Sequence, residues 1–127
     1  MPMQWTIDTK RNRVCVTGSG EVTRQQIVDT YNQYLVDPLF RPDMDVLVDL
    51  CDATLAATTK DLRAVVGDFE TQRSTRGAGY RIAIVVDAPA TYGQSRQYAA
   101  FSSRSPVFIK VFRDLAAANE WLDALQR

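Results

Sequence analysis

The run Arg81-Ile82-Ala83-Ile84-Val85-Val86 constrains the fold more than any other stretch of this chain. Its unbroken apolar character reads as a strand buried on both faces, as in a parallel sheet covered by helices. Pro89 follows, where a helix can begin, because the first helical turn has no use for the missing N–H. That helix runs to about Ser102, and Val107 to Phe112 reads as the next strand.

The same alternation recurs upstream. Trp5-Thr6-Ile7-Asp8 and Val14-Cys15-Val16 flank the polar turn Lys10-Arg11-Asn12 and predict a hairpin whose second strand ends at Gly18 and Gly20. Thr23 and Gln26 have capping-box spacing, and Ile27, Val28, Tyr31, Tyr34 and Leu35 recur at helical spacing behind them. Asp37-Pro38 stops that helix. Met44 to Leu50 is a central strand, followed by an expected loop from Cys51 to Ala57. Thr58 or Thr59 caps a second helix with Leu62, Val65, Val66 and Phe69 on one face, broken over Ser74 to Gly79. Asp114 caps the last helix, with Leu115, Ala118, Trp121, Leu122 and Leu125 expected inward. The order β-β-α-β-α-β-α-β-α predicts an α/β fold. Its five-stranded sheet is mostly parallel, with right-handed crossovers and an antiparallel N-terminal strand.

The 127 residues suit one domain spanning 1–127, and 46% hydrophobic residues suffice for a core without disulfides. Cys15 and Cys51 lie in or beside apolar runs and are expected as buried thiols. The net charge is zero, which argues against general nucleic-acid binding. The basic residues concentrate between 71 and 113, where Asp87 is the only acid, so a local basic patch and scattered solvated arginines both fit. No apolar run approaches the ~20 residues of an integral membrane segment. The N-terminal residues have no signal-peptide profile, and a cytoplasmic location is expected.

Seven fragments, in order and spacing, resemble the SpoIIAA-like family of small bacterial proteins, related to STAS domains and more distantly to CRAL-TRIO folds. They are Trp5-x-Ile7-Asp8, Gly20-x-Val22-Thr23, Asp37-Pro38-x-Phe40-x-Pro42, Val48-Asp49-Leu50, Tyr92-Gly93-x-x-Arg96, Val111-Phe112-Arg113-Asp114 and Trp121-Leu122. The resemblance implies four β/α turns in a layered α/β sheet and little about function. In STAS-type anti-sigma-factor antagonists a phosphorylatable serine opens the helix after the strand matching Val46–Leu50. Carried over by position, it implies Thr58 or Thr59 as phosphoacceptor. Ala57 and Lys60 stand where that pattern has an acid and a glycine, and both threonines also read as ordinary helix caps.

The chain contains no histidine, which removes the commonest general base and the usual zinc sites. The two cysteines have no CxxC spacing, and no phosphate-binding glycine loop occurs. Asp43/Asp45 and Asp49/Asp52 are the acid pairs that could hold magnesium or move protons, but neither fits a motif. The expectation is therefore a protein that is not an enzyme, with no metal and no cofactor.

Tyr92-Gly93-Gln94-Ser95-Arg96 is the segment with most to offer a ligand or partner. Tyr92 and Arg96 are one helical turn apart, and Gly93 suggests close approach by a backbone or ligand. The segment follows the carboxyl end of a strand, where open α/β sheets bind ligands. The bland reading is a packed Tyr92 and a solvated Arg96. Tyr98 and Phe101 on the same helix, with Tyr31 and Tyr34 on the first, point either to an apolar pocket between the two helices, to self-association, or to core packing.

Two functions follow from this reading. The first is a non-enzymatic regulatory or protein-interaction module, acting on an unknown protein partner or on itself as a homodimer. The second is a carrier or sensor of a small apolar or amphipathic ligand in a pocket near Tyr92 and Arg96.

Overall fold

The structure is a computed structural model describing residues 3–77, 79–105 and 107–124. Its elements are β1 (Met3–Asp8), β2 (Arg13–Thr23), α1 (Arg24–Leu35), β3 (Asp45–Ala56), α2 (Thr59–Glu70), α3 (Arg73–Arg76), β4 (Arg81–Val85), α4 (Pro89–Phe101), β5 (Phe108–Phe112) and α5 (Leu115–Ala124). The strands form one sheet in the order β1-β2-β3-β4-β5, with β1 antiparallel to β2 and every other pair parallel. This is the α/β architecture expected, with the single turn α3 added where only a break was foreseen.

Each parallel connection steps one strand further in the same direction. Right-handed crossovers taken in one direction place their helices on one face. Side chains of α1, α2 and α4 accordingly join Val14, Val16, Val46, Ile82 and Ile84 in one large core. Helix α5 is not a crossover. It packs on the other face, where Ala118 and Leu122 meet Leu47, Ala83 and Val85.

Polar anchors hold the ends of the layers. Arg13 is 1% exposed and hydrogen-bonds from β2 to Asn119 at 2.9 Å and to Asp123, both on α5. Buried Asp45 at the head of β3 accepts from the Arg81 backbone N–H at 2.8 Å and from its guanidinium at 2.9 Å, registering β3 against β4. Thr23 and Gln26 form the capping box expected for α1.

Four local expectations are corrected. Strands β2 and β3 do not end near Gly20 and Leu50. A β-bulge between Thr17 and Ser19 resets their register, and pairing continues from Ser19↔Asp52 to Thr23↔Ala56. Gly18 sits at that bulge, paired with Met3 of β1 but skipped in the pairing with β3, and a Cβ there would come within 2.8 Å of the Leu50 side chain. Cys15 is only half-buried, and Cys51, beside the bulge, is exposed. Leu115 points outward, 43% exposed, because it starts α5 before the helix reaches the sheet. Leu125 lies outside the described residues.

Gly77 is the glycine that the backbone requires. Its φ is +84°, and a Cβ would lie 2.7 Å from the Pro42 carbonyl oxygen. Gly79 has φ +77° but open space around it. Gly77→Ala is expected to lower unfolding free energy in urea by about 2–3 kcal/mol, and Gly79→Ala by about 1 kcal/mol, the left-handed penalty without the clash.

Candidate functional site

Between the three-helix layer and the sheet lies a cavity of about 110 Å³. Its floor is made by β-branched residues of three strands, among them Val16, Val46, Val48, Ile82 and Ile84. Ile27, Tyr31 and Tyr34 cover it from α1, Leu62, Val65 and Phe69 from α2, and Ser95 and Tyr98 from α4. Among the described residues, none that lines it is charged. It is smaller than the several hundred Å³ of pockets for drug-sized ligands, and comparable with the cavity of about 150 Å³ that stays dry and takes up benzene.

Aromatic rings stacked on one another, rather than on the sheet, explain the space. Tyr31 stacks on Phe69 with centroids 4.1 Å apart and meets Tyr34 edge-on at 5.5 Å. Phe69 meets Tyr98 at 6.2 Å, and Tyr34 meets Phe40 at 5.8 Å. One end of this chain rests on Arg76, which is 1% exposed. Its guanidinium lies 3.4 Å from the Tyr80 ring centroid and 5.2 Å from that of Phe40, and donates to the carbonyls of Pro42 at 2.7 Å and Met44 at 2.6 Å.

The side chains of helix α4 divide between two faces. Ser95 and Tyr98 turn to the cavity, whereas Tyr92, Gly93 and Arg96 do not line it. Tyr92 and Arg96 do meet, as their spacing predicts: Arg96 Nη1 donates to the Tyr92 hydroxyl at 3.0 Å. A third residue joins them, Arg113, whose guanidinium sits 4.3 Å from the centre of the Tyr92 ring. Gly93 is exposed and a Cβ there would meet nothing within 4 Å, so no backbone of the described residues approaches this glycine. Of the two aromatic pairs singled out, Tyr31, Tyr34 and Tyr98 converge on the cavity, while Phe101 lies under the Arg63 guanidinium at 4.7 Å. Ser95 carried no signal in the sequence beyond its place one turn before Tyr98.

Thr58 is the N-cap of α2. Its hydroxyl accepts from the Asp61 N–H at 3.1 Å, and the Asp61 carboxylate accepts from the Thr58 N–H at 2.9 Å, which holds that carboxyl below its usual range. Thr59 is exposed, its hydroxyl donating to Gln97 at 3.3 Å. Asp49 accepts from the Cys51 N–H at 3.0 Å. Partial desolvation, then this carboxylate and those of Asp87 and Asp52, push the Cys51 thiol up to about 11. Among the described residues no group of three or more acids or cysteines is placed to hold a metal ion, and no helix is long and apolar enough to cross a membrane.

No protein-family model matches the chain, and no curated protein does. Solved structures match it, among them an uncharacterised protein of the DUF3478 family with a SpoIIAA-like fold, from Shewanella loihica PV-4. That protein is 17% identical, with a TM-score of 0.59 over 94% of this chain and 93% of the other. The chain has a SpoIIAA-like fold.

Burial raises the phenol pKa of Tyr31, Tyr34 and Tyr98 above the ordinary value, with neighbouring tyrosines adding to the rise and Arg76 opposing it at Tyr31 and Tyr34. Phenols of the unfolded chain release their protons near pH ~10 and the folded ones do not. Stability from these three is therefore fully present below pH ~10 and lost as pH rises above it. Absorbance at 295 nm should show them ionising only together with alkaline unfolding, and the urea midpoint should fall as pH climbs past ~10.

Proposed function

We propose that this protein is a non-enzymatic binding domain that takes up a small, mainly apolar molecule between its three-helix layer and its sheet, as carrier or sensor. The supporting observation is the uncharged cavity of about 110 Å³, contributed to by all three helices. The pocket near Tyr92 and Arg96 foreseen from the sequence is replaced in this reading by one on the inner face of the same helix. The lack of enzymatic activity is inferred from the use made of the acids near the strand ends. Asp45 is paired with Arg81, Asp49 binds the Cys51 N–H, and Asp114 binds the Ala116 N–H at 3.0 Å.

Native mass spectrometry of gently purified protein, repeated after denaturation, tests the uptake. A small bound mass lost on denaturing is expected. Val46→Ile adds one methyl group to the cavity floor. It should raise stability by about 0.5–1 kcal/mol and remove the bound mass. A stability loss in Val46→Ile with no ligand in the parent protein would count against the reading.

Self-association is the second reading. Strand β5 is an unpaired sheet edge, and Phe108 on it is 63% exposed. A dimer in sedimentation equilibrium that Phe108→Ser dissociates supports it, and a parent protein that stays monomeric at high concentration removes it.

A further inference from the structure

We propose that strand β5 is the docking edge for an extended, acidic segment of a partner protein, which adds to the sheet as a further strand. This surface lies outside the helix layer and is independent of the cavity.

Strand β5 ends the sheet, and among the described residues no strand pairs with its outer side. The Phe108 N–H donates to the Tyr80 carbonyl at 3.1 Å, and the Phe112 carbonyl accepts from the Val86 N–H at 2.9 Å. Both residues therefore turn their backbone groups inward. Those groups alternate in direction along a strand, so Lys110 also faces β4, while Ile109 and Val111 present their N–H and C=O groups outward. Donors and acceptors at ladder spacing are what an added strand takes up. Phe108, 63% exposed, offers an apolar cross-strand contact beside them.

The charge around this edge is of one sign. The chain is neutral overall, yet residues 88–113, which build α4 and β5, include four bases and no acid. Arg104 stands in the turn into β5, Lys110 in its middle and Arg113 directly after it, with Arg96 on α4. All are exposed, and among the described residues none of them is in an ion pair. Arg96 and Arg113 are also held in place, one on the Tyr92 hydroxyl and the other against its ring. Two guanidiniums drawn to one side chain repel each other, and carboxylates arriving there offset the repulsion. A second copy's β5 would instead bring like charge to the edge. Nucleic acid would use the charges but not the backbone ladder. An acidic polypeptide strand uses both.

The probe is a capped peptide of alternating Glu and Val, titrated into the isotope-labelled full chain and followed by NMR. The Ile109 and Val111 amides are expected to shift and to exchange with solvent about tenfold more slowly, while those of Lys110 and Phe112, already bonded to β4, keep their protection. The same peptide with Lys in place of Glu should not bind. The Glu peptide N-methylated throughout keeps its charge, loses its donors and should leave both amides unprotected. Lys110→Gln and Arg113→Gln should each weaken binding about two- to fivefold, the worth of one exposed ion pair, with the urea midpoint unchanged. No protection of Ile109 and Val111 with the Glu peptide at millimolar concentration, equal binding of the Lys peptide, or unchanged affinity in both variants overturns the proposal. Protection of these amides that grows with protein concentration in the absence of peptide assigns the edge to a second copy. Shifts at Arg96 and Arg113 with oligothymidylate and none with the peptide assign the charge to nucleic acid. Either result overturns the proposal as well.

Discussion

Consecutive parallel strands joined by right-handed crossovers determine where everything else in this molecule lies. Because the sheet is wound in one direction from β2 to β5, three helices have no choice but to share a face. That face carries nearly all the apolar burial, from Val14 and Val22 through Tyr31 and Tyr34 to Ile84 and Val86. The other face receives only α5, whose buried contribution is Ala118 and Leu122 with Trp121 alongside. So small an apolar contact leaves α5 dependent on Arg13. Its fully buried guanidinium bridges to Asn119 and to the half-exposed Asp123. Its Nε has no partner among the described residues, so the Asn119 and Asp123 oxygens are what compensate this buried cation, and removing either would leave it far costlier to bury.

On the crowded face the helices are spaced by aromatic side chains rather than packed down by them. Tyr31, Phe69 and Tyr98 form a continuous edge-and-face chain across α1, α2 and α4. Arg76 secures the adjoining end at Tyr34 and Phe40 through two backbone carbonyls and two ring faces. Its two short carbonyl bonds join the turn α3 to the approach of β3, where Gly77 packs against Pro42 as well. Rings that satisfy one another in this way hold the helices at ring width from a floor of short Val and Ile side chains. The void beneath them follows from that mismatch, since collapse would require breaking the aromatic chain or shifting a crossover helix.

What was legible in the sequence, and what was not, divides along the same line. Elements set by local patterns were readable: the capping box at Thr23, a threonine cap on α2 at Thr58 or Thr59, the buried run Ile82–Val86, Pro89 opening α4, and the Tyr92–Arg96 turn. The β2–β3 extension was not, because Gly18-Ser19-Gly20 reads as a terminator. Only the partner strand, with the bulge opposite it, turns these residues into ladder. The exposure of Cys51 follows from the same bulge. For the site, the aromatic pairs on α1 and α4 lie on two of the three helices that cover the cavity, whereas Tyr92, Gly93 and Arg96 lie on the flank of α4 that does not line it. A cavity is a property of what three elements fail to fill, and no pattern within one element records it. Ser95 looks like any helical serine until the cavity it lines is assembled from the other two helices and the sheet.

The two flanks of α4 also bear on whether the domain carries or senses. A molecule in the cavity would touch α1, α2 and α4 at once, so its binding free energy would act on the spacing of all three. Each of those helices shows charged groups to the surface. Arg24 on α1 pairs with Asp68 on α2 at 3.1 Å, and Arg96 on α4 shares Tyr92 with Arg113 of the β5–α5 turn. A change in helix spacing of a few tenths of an ångström is felt by packed rings before it is felt by solvated ion pairs. The aromatic chain from Phe69 to Tyr98 would therefore relay occupancy to α4, and the Tyr92–Arg96–Arg113 cluster is the point on that helix where an altered position meets a neighbouring element. The same chain also spaces the helices of the empty domain, so it serves the carrying and the sensing form of the proposal alike.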